Sequence, residues 1–266
     1  MTLRRIFRPL VEYKVTILLG ESRNNALQKA LTITRTPTIL DSVVTVNITA
    51  SRPRHKTQYL SSPTLFTLFK AIPAMPQLRT VHLLGIFLEE TYLCCILSSP
   101  CLTHLILDVV QMSNISKLPP PPQNLRKLTI KMMNPWEAIE PLIAQLATSL
   151  EYLELKWCIF LPPRRVQLPY FPRLRELCHH PKPRHNHDNE ALLKELIHLV
   201  PQITHLHLYG RVHYRHITAF PKSLRHLSID EDTLTKQTFV CPQLMSLSLR
   251  CYPMGTELPS HTLFHP

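Results

Sequence analysis

The sequence predicts an α/β solenoid in which parallel strands stack side by side and short helices or extended connectors return the chain. Three observations carry that expectation. One apolar phrase recurs eight times, the intervals between copies stay within a narrow band, and the intervening segments carry helix and turn signals.

The phrase is Leu, two variable residues, Leu, one variable residue, Leu, as in Pro-Cys-Leu-Thr-His-Leu-Ile-Leu at 100–107. It opens at Leu78, Leu102, Leu125, Leu150, Leu174, Ile203, Leu224 and Leu244, giving intervals of 24, 23, 25, 24, 29, 21 and 20 residues. A fixed period in this range with this phrase is the signature of leucine-rich repeats. The asparagine that usually follows the phrase is missing. Its positions hold Ile86, Val110, Met133, Cys158, Lys182, Arg211, Asp232 and Tyr252, so the predicted horseshoe is irregular.

In chain order, residues 1–50 read as an entry segment with a degenerate first repeat. Alternating apolar residues predict a strand around 11–18. Ala26, Leu27, Ala30 and Leu31 at helical spacing predict a helix over 24–31. Val43, Val46 and Ile48 repeat the phrase in degenerate form. The polar, basic stretch 51–58 reads as a loop, and the array occupies 51–254. Ser62 followed by Pro63 predicts a helix start, with an N-cap hydroxyl and proline at the first helical position. Leu65, Leu68, Phe69 and Ile72 supply its apolar face.

Three further helices are expected. One spans 89–97. The second opens with the capping sequence Asn134-Pro-Trp-Glu137 and buries Ile139, Leu142, Ile143 and Leu146. The third spans 190–200, with Asp188 or Asn189 as cap and Leu192, Leu193, Leu196, Ile197 and Val200 inward. The last two intervals are too short for a full helix and predict extended connectors. Residues 255–266 form a tail without periodicity.

Composition narrows the function classes. Only four glycines against 25 prolines argues against glycine-rich phosphate loops and for stiff connections. A net charge of +12 favours acidic partners, nucleic acid or anionic surfaces without choosing among them. Seven cysteines, an odd number with no Cys-x-x-Cys, indicate neither a disulfide framework nor a zinc ribbon and fit a cytoplasmic or nuclear setting. No signal peptide is expected, and no apolar run reaches the ~20 residues that span a bilayer.

Side chains of a strand alternate between faces, so the phrase leucines point inward and the residues between them point outward onto a concave sheet. The outward set includes Asp108, Thr129, Glu154, Glu176, Cys178 and His180. The residues expected to bind a partner protein there are His82, His104, Lys127, Lys131, Tyr152, His205, His207, Tyr209 and His226. Aromatic and amphipathic groups of this kind suit a protein interface. The histidines predict a face that gains charge below about pH 6.5. A basic rim follows from the residue after each opening leucine: Arg79, Arg126, Arg175 and Arg225, interrupted by Thr103, Glu151, Thr204 and Met245. Four arginines in line also fit phosphate or nucleic acid, which is the alternative reading.

No nucleophile elbow, paired carboxylates or phosphate loop accompanies the histidines, so no enzyme activity, catalytic residue or cofactor is expected. The densest ligand-like stretch, Cys178-His-His-Pro-Lys-Pro-Arg-His-Asn-His-Asp188, matches no known metal spacing. It reads as an exposed polar loop, with no metal expected.

The layout resembles that of fungal F-box proteins with divergent leucine-rich repeats. The residues that carry the likeness are Ile6-Phe-Arg-Pro-Leu-Val11, Asn25-Ala-Leu-Gln-Lys-Ala-Leu31 followed by the stretch 37–48, and the strand phrases introduced by Pro76-Gln-Leu78 and Pro242-Gln-Leu244. The resemblance covers nearly the whole chain and implies a substrate-recognition domain of a ubiquitin-ligase receptor; apart from it, a monomer without membrane contact is expected. The helical F-box phrase is not among these residues. A Skp-type adaptor and a cullin ligase are therefore implied as partners only where an F-box accompanies the array.

Overall fold

The computed structural model describes residues 13–19, 23–50, 63–108, 110–112, 118–120, 122–131, 139–156, 169–180, 186–209, 220–230 and 243–250. Twelve strands are described: β1 (Tyr13–Leu19), β2 (Val43–Ala50), β3 (Thr80–Leu84), β4 (Phe87–Leu88), β5 (His104–Asp108), β6 (Gln111–Met112), β7 (Lys127–Lys131), β8 (Tyr152–Lys156), β9 (Glu176–His180), β10 (His205–Leu208), β11 (His226–Asp230) and β12 (Ser246–Arg250). The α-helices are α1 (Arg23–Arg35), α2 (Pro37–Leu40), α3 (Pro63–Ala71), α4 (Glu90–Leu97), α5 (Glu140–Leu146) and α6 (Asn186–Leu199).

Ten strands make one sheet in the order β1-β2-β3-β5-β7-β8-β9-β10-β11-β12, and every neighbouring pair is parallel. The architecture is mixed α/β, with a ten-stranded parallel sheet and short helices, and is compatible with a solenoid-like stack. The sheet runs without a break from the entry strands β1 and β2 into β3, through pairs such as Val46–Val81 and Ile48–Leu83. No described helix is long and apolar enough to cross a membrane.

Alternation along each strand builds the core. Val81, Leu83, Leu105, Leu107, Leu128, Ile130, Leu153, Leu177 and Leu206 are fully buried, as are the opening residues Leu78, Leu102, Leu125, Leu150, Leu174 and Ile203. The apolar faces of the helices complete the same cluster: Leu65, Leu68 and Phe69 of α3, Leu93, Ile96 and Leu97 of α4, Leu142, Ile143 and Leu146 of α5, Leu193, Leu196 and Ile197 of α6. Burying a Leu or Ile side chain contributes about 1.5–3 kcal/mol, so this face dominates the stability of the sheet.

Each phrase begins with a repeated backbone device. The carbonyl of the residue after the opening leucine accepts two N–H groups from the next strand. Thr103 and His104 donate to Arg79 O, Glu151 and Tyr152 to Arg126 O, and Thr204 and His205 to Arg175 O, all at 2.8–3.0 Å. Side chains fasten the connectors in the same way: Asn124 Nδ2 donates to Pro100 O at 2.9 Å and Ser223 Oγ to Pro201 O at 2.6 Å, while Gln202 donates to Phe171 O.

At positions 86 and 110, the two described places where the asparagine was expected, the chain uses apolar packing. Ile86 and Val110 are buried, and the residues after them form the short parallel pair β4–β6. Gly85 makes the turn before β4 at φ +68°, and a Cβ there would sit 3.1 Å from Ala50 O. Its N–H donates to Asp108 O at 2.9 Å. Both the dihedral and the close approach call for glycine.

Several expectations need correction. Helix α6 begins at Asn186, ahead of the expected start at 190, so Asp188 and Asn189 lie inside it. Apolar periodicity marks only turns that pack against the core, and a polar first turn leaves no such mark. Cys178, His179 and His180 are strand residues of β9 and Asn186 to Asp188 are helical, so the stretch 178–188 is not one exposed loop. The last phrase is also less inward than its sequence suggests. Leu244 is partly buried, and Leu247 and Leu249 of β12 are each 44% exposed, because no described helix packs on β12, whereas the other edge strand, β1, is covered by α1 and keeps Val15, Ile17 and Leu19 buried. Finally, Thr129, Cys178 and Ser228, all on the outward face, are buried. Longer side chains on strands about 4.8 Å away close over these small ones. The expected cap from Asn134 to Glu137, the loop 51–58, most of the last two connectors and the tail lie outside the described residues.

Candidate functional site

The outward face is organised by register. Parallel pairing aligns Thr80, His104, Lys127, Tyr152, Glu176, His205, His226 and Ser246 in one row across eight strands. A second row holds His82, Ile106, Thr129, Glu154, Cys178, His207, Ser228 and Ser248. A third begins Leu84, Asp108, Lys131, Lys156 and His180. Tyr209 follows β10 directly, with its N–H donating to His179 O at 3.0 Å. The nine sequence-predicted residues therefore share one face, but they form three local groups instead of one site.

The first group lies on β3, β5 and β7. His82 Nε2 and Lys131 Nζ each lie 3.9 Å from an Asp108 carboxylate oxygen. Burial lowers the His82 pKa below 6.5 despite the carboxylate, which acts to raise it.

The second group centres on Glu154. Its carboxylate accepts hydrogen bonds from Tyr152 Oη at 3.1 Å and Thr129 Oγ1 at 3.3 Å, and His180 Nε2 lies 3.9 Å away. His104 Nε2 is 3.2 Å from Thr129 Oγ1, which joins β5 to the same network. Burial, and then the Lys127 ammonium beside it, pushes the His104 pKa down to about 4. Burial and contact with Cys178 raise Tyr152 well above the ordinary phenol value, so it remains a protonated donor. Lys127 Nζ lies 5.8 Å from the Tyr152 ring centroid, near the limit for a cation–π contact.

The third group lies on β9, β10 and β11. His207 Nε2 is 3.3 Å from Glu176 Oε1, and its Nδ1 is 3.2 Å from Tyr209 Oη. The Tyr209 ring packs on His180 at 4.2 Å between centroids. His205 and His226 stack at 4.2 Å with an interplanar angle of 15°. The ligand atoms of Glu176, Cys178 and His207 all fall within 4.8 Å of one another.

The rim arginines Arg79, Arg126, Arg175 and Arg225 are exposed at the starts of their strands. Arg126 Nη1 pairs with Glu151 Oε1 at 2.6 Å, which takes that guanidinium out of a continuous basic stripe. Beside Arg175 the rim carries a groove lined by Glu151, Pro172, Arg173, Gln202 and Thr204.

Two corrections bear on chemistry. The face does not charge as a unit near pH 6.5, because His104 titrates at about 4 and His82 is also lowered. His179, in a leucine position of β9, is buried and its pKa is pushed down to about 4 by desolvation alone. The residues that sequence reasoning left out of the site are Asp108, Glu154, Glu176, Cys178 and His180. Period-two alternation already put them on the correct face, but only the register shows which histidine each one meets.

In comparisons with known proteins, no family model matches the chain, and no curated protein matches it.

Proposed function

We propose that this chain is a leucine-rich-repeat module that binds a partner protein on the outward face of its sheet. Its setting in this reading is substrate recognition in an F-box-like ubiquitin-ligase receptor of the cytoplasm or nucleus. The observation that supports it is the row running from His104 through Lys127, Tyr152 and Glu176 to His205 and His226, which presents aromatic, cationic and anionic groups on adjacent strands. Such a surface recognises by shape and charge complementarity and performs no reaction on its partner.

The mixed charge also weighs against the alternative, a basic nucleic-acid-binding protein. Asp108, Glu154 and Glu176 interleave with the cations across the face and would repel phosphate, and Arg126 is already paired. A phosphate-driven complex would weaken steeply with salt.

Affinity capture from the native host, followed by mass spectrometry, tests the proposal. The wild-type chain is expected to retain a client protein at moderate salt, and the triple variant Lys127→Ala, His205→Ser, His226→Ser to lose it while keeping its circular dichroism spectrum. Retention unchanged by the variant would overturn the assignment of the face. Recovery of RNA or DNA that is released by salt would support the alternative instead.

A further inference from the structure

We propose that Glu176, Cys178 and His207 form a transition-metal site, of a donor set that suits zinc, on the outward face where β9 meets β10. This goes beyond partner binding and does not rest on it.

The backbone places the three ligands. Glu176 and Cys178 are two residues apart on β9 and so share a face, and His207 of β10 is in register with Cys178. Their ligand atoms lie within 4.8 Å of one another, and the Glu176–His207 pair is already at 3.3 Å. A tetrahedral zinc with bonds of about 2.0–2.3 Å needs ligand atoms about 3.3–3.8 Å apart. Side-chain rotation of under about an ångström closes the remaining gap to the thiol, with no movement of strands whose spacing is held by the ladder.

The chemistry of the set points to zinc. One sulfur, one nitrogen and one oxygen suit a borderline ion, whereas magnesium and calcium take oxygen ligands in greater number. A thiolate and a carboxylate together neutralise a divalent cation, so the bound site carries no net charge into the partly buried face. Cys178 lies at the floor, 7% exposed, while the side chains of His207 and Glu176 are 24% and 40% exposed and leave a path for the ion from solvent. Tyr209 Oη, 3.2 Å from Nδ1, accepts the ring N–H when Nε2 binds metal and so fixes the tautomer and the ring plane. Three protein ligands leave a fourth position for water or for a group on a bound partner.

Cobalt(II) reports such a site directly, because a thiolate ligand gives a charge-transfer band in the near ultraviolet. Titration of the full chain with cobalt is expected to give that band at one equivalent, and zinc to abolish it by competition. Cys178→Ser should lose the band, and His207→Gln and Glu176→Gln should weaken zinc in the competition. Tyr209→Phe is expected to cost about 10–100-fold in affinity, as removal of an outer partner does. The double variant His185→Ala, His187→Ala, which removes two histidines of the neighbouring stretch, should leave the band intact. The proposal is overturned if the wild type shows no band, if the band survives Cys178→Ser, or if only the double variant removes it. Glu176→Gln and His207→Gln keep the test decisive should Cys178→Ser fold poorly, since unchanged zinc affinity in both also sinks it.

Discussion

Strands β5 and β12 are written in the same phrase and end in different environments. In β5, Leu105 and Leu107 are fully buried between β3 and β7. In β12, Leu247 and Leu249 hold the matching positions and are 44% exposed. Both pairs point to the same side of the sheet, so the phrase specifies direction. Burial comes from what packs on that side: the edge strand β1, with α1 against it, keeps Ile17 and Leu19 buried, whereas no described helix packs on β12. The contrast extends to the outward face. His104 of β5 is enclosed by neighbours, whereas its counterpart Ser246 of β12 is exposed.

The largest effect that would sharpen this contrast is a leucine truncation in each strand. Leu107→Ala is expected to lose about 2–5 kcal/mol in urea unfolding, because it leaves a cavity in a fully buried site. Leu249→Ala should cost less than about 1 kcal/mol. Equal losses would mean that the two strands are packed alike.

Acid titration distinguishes the outward faces. His104 is held at about 4 in the folded chain against 6.5 unfolded. Between those values the unfolded state takes up a proton that the folded state does not. Stability is therefore fully present above about pH 6.5, falls as pH drops toward 4, and levels off below it. The groups acting on His104 are Lys127, Glu154, His82 and Lys131. The shift corresponds to at most about 3 kcal/mol. Urea unfolding of wild type and His104→Gln across this range should show a shallower slope for the variant, and identical slopes would show that His104 is not enclosed.

A smaller effect concerns how β5 is fastened to β3. Gly85→Ala places a Cβ at φ +68° and 3.1 Å from Ala50 O, and is expected to cost about 1–2 kcal/mol. Amide exchange should then quicken at the Gly85 N–H that donates to Asp108 O. Undiminished protection there would show that the turn tolerates a side chain.

Much of this was legible beforehand. The eight opening residues announced the strands, and the helix faces at Leu65, Leu68 and Phe69, or at Leu142, Ile143 and Leu146, followed from 3.6-residue spacing. The start of α6 was not legible, since its first residues, Asn186 to Glu190, are polar and carry no apolar periodicity. Nor was the burial of Thr129 and Cys178, which depends on the length of side chains on other strands. The site was half legible. Alternation put His207, Glu176 and Cys178 on one face, but a histidine on β10 carries no sign of which carboxylate or thiol lies beside it on β9.

The sequence by itself determined the parallel-strand α/β architecture and which residues point inward, because apolar side chains at a fixed period must all be taken out of water on the same side. Tertiary structure alone decided what meets across the strands: the Glu154 hub, the His205–His226 stack and the Glu176, Cys178 and His207 cluster. Between strands, those contacts join residues 21 to 31 positions apart. They exist only once backbone pairing sets the register, and a shift of one residue would send every one of these side chains to the opposite face.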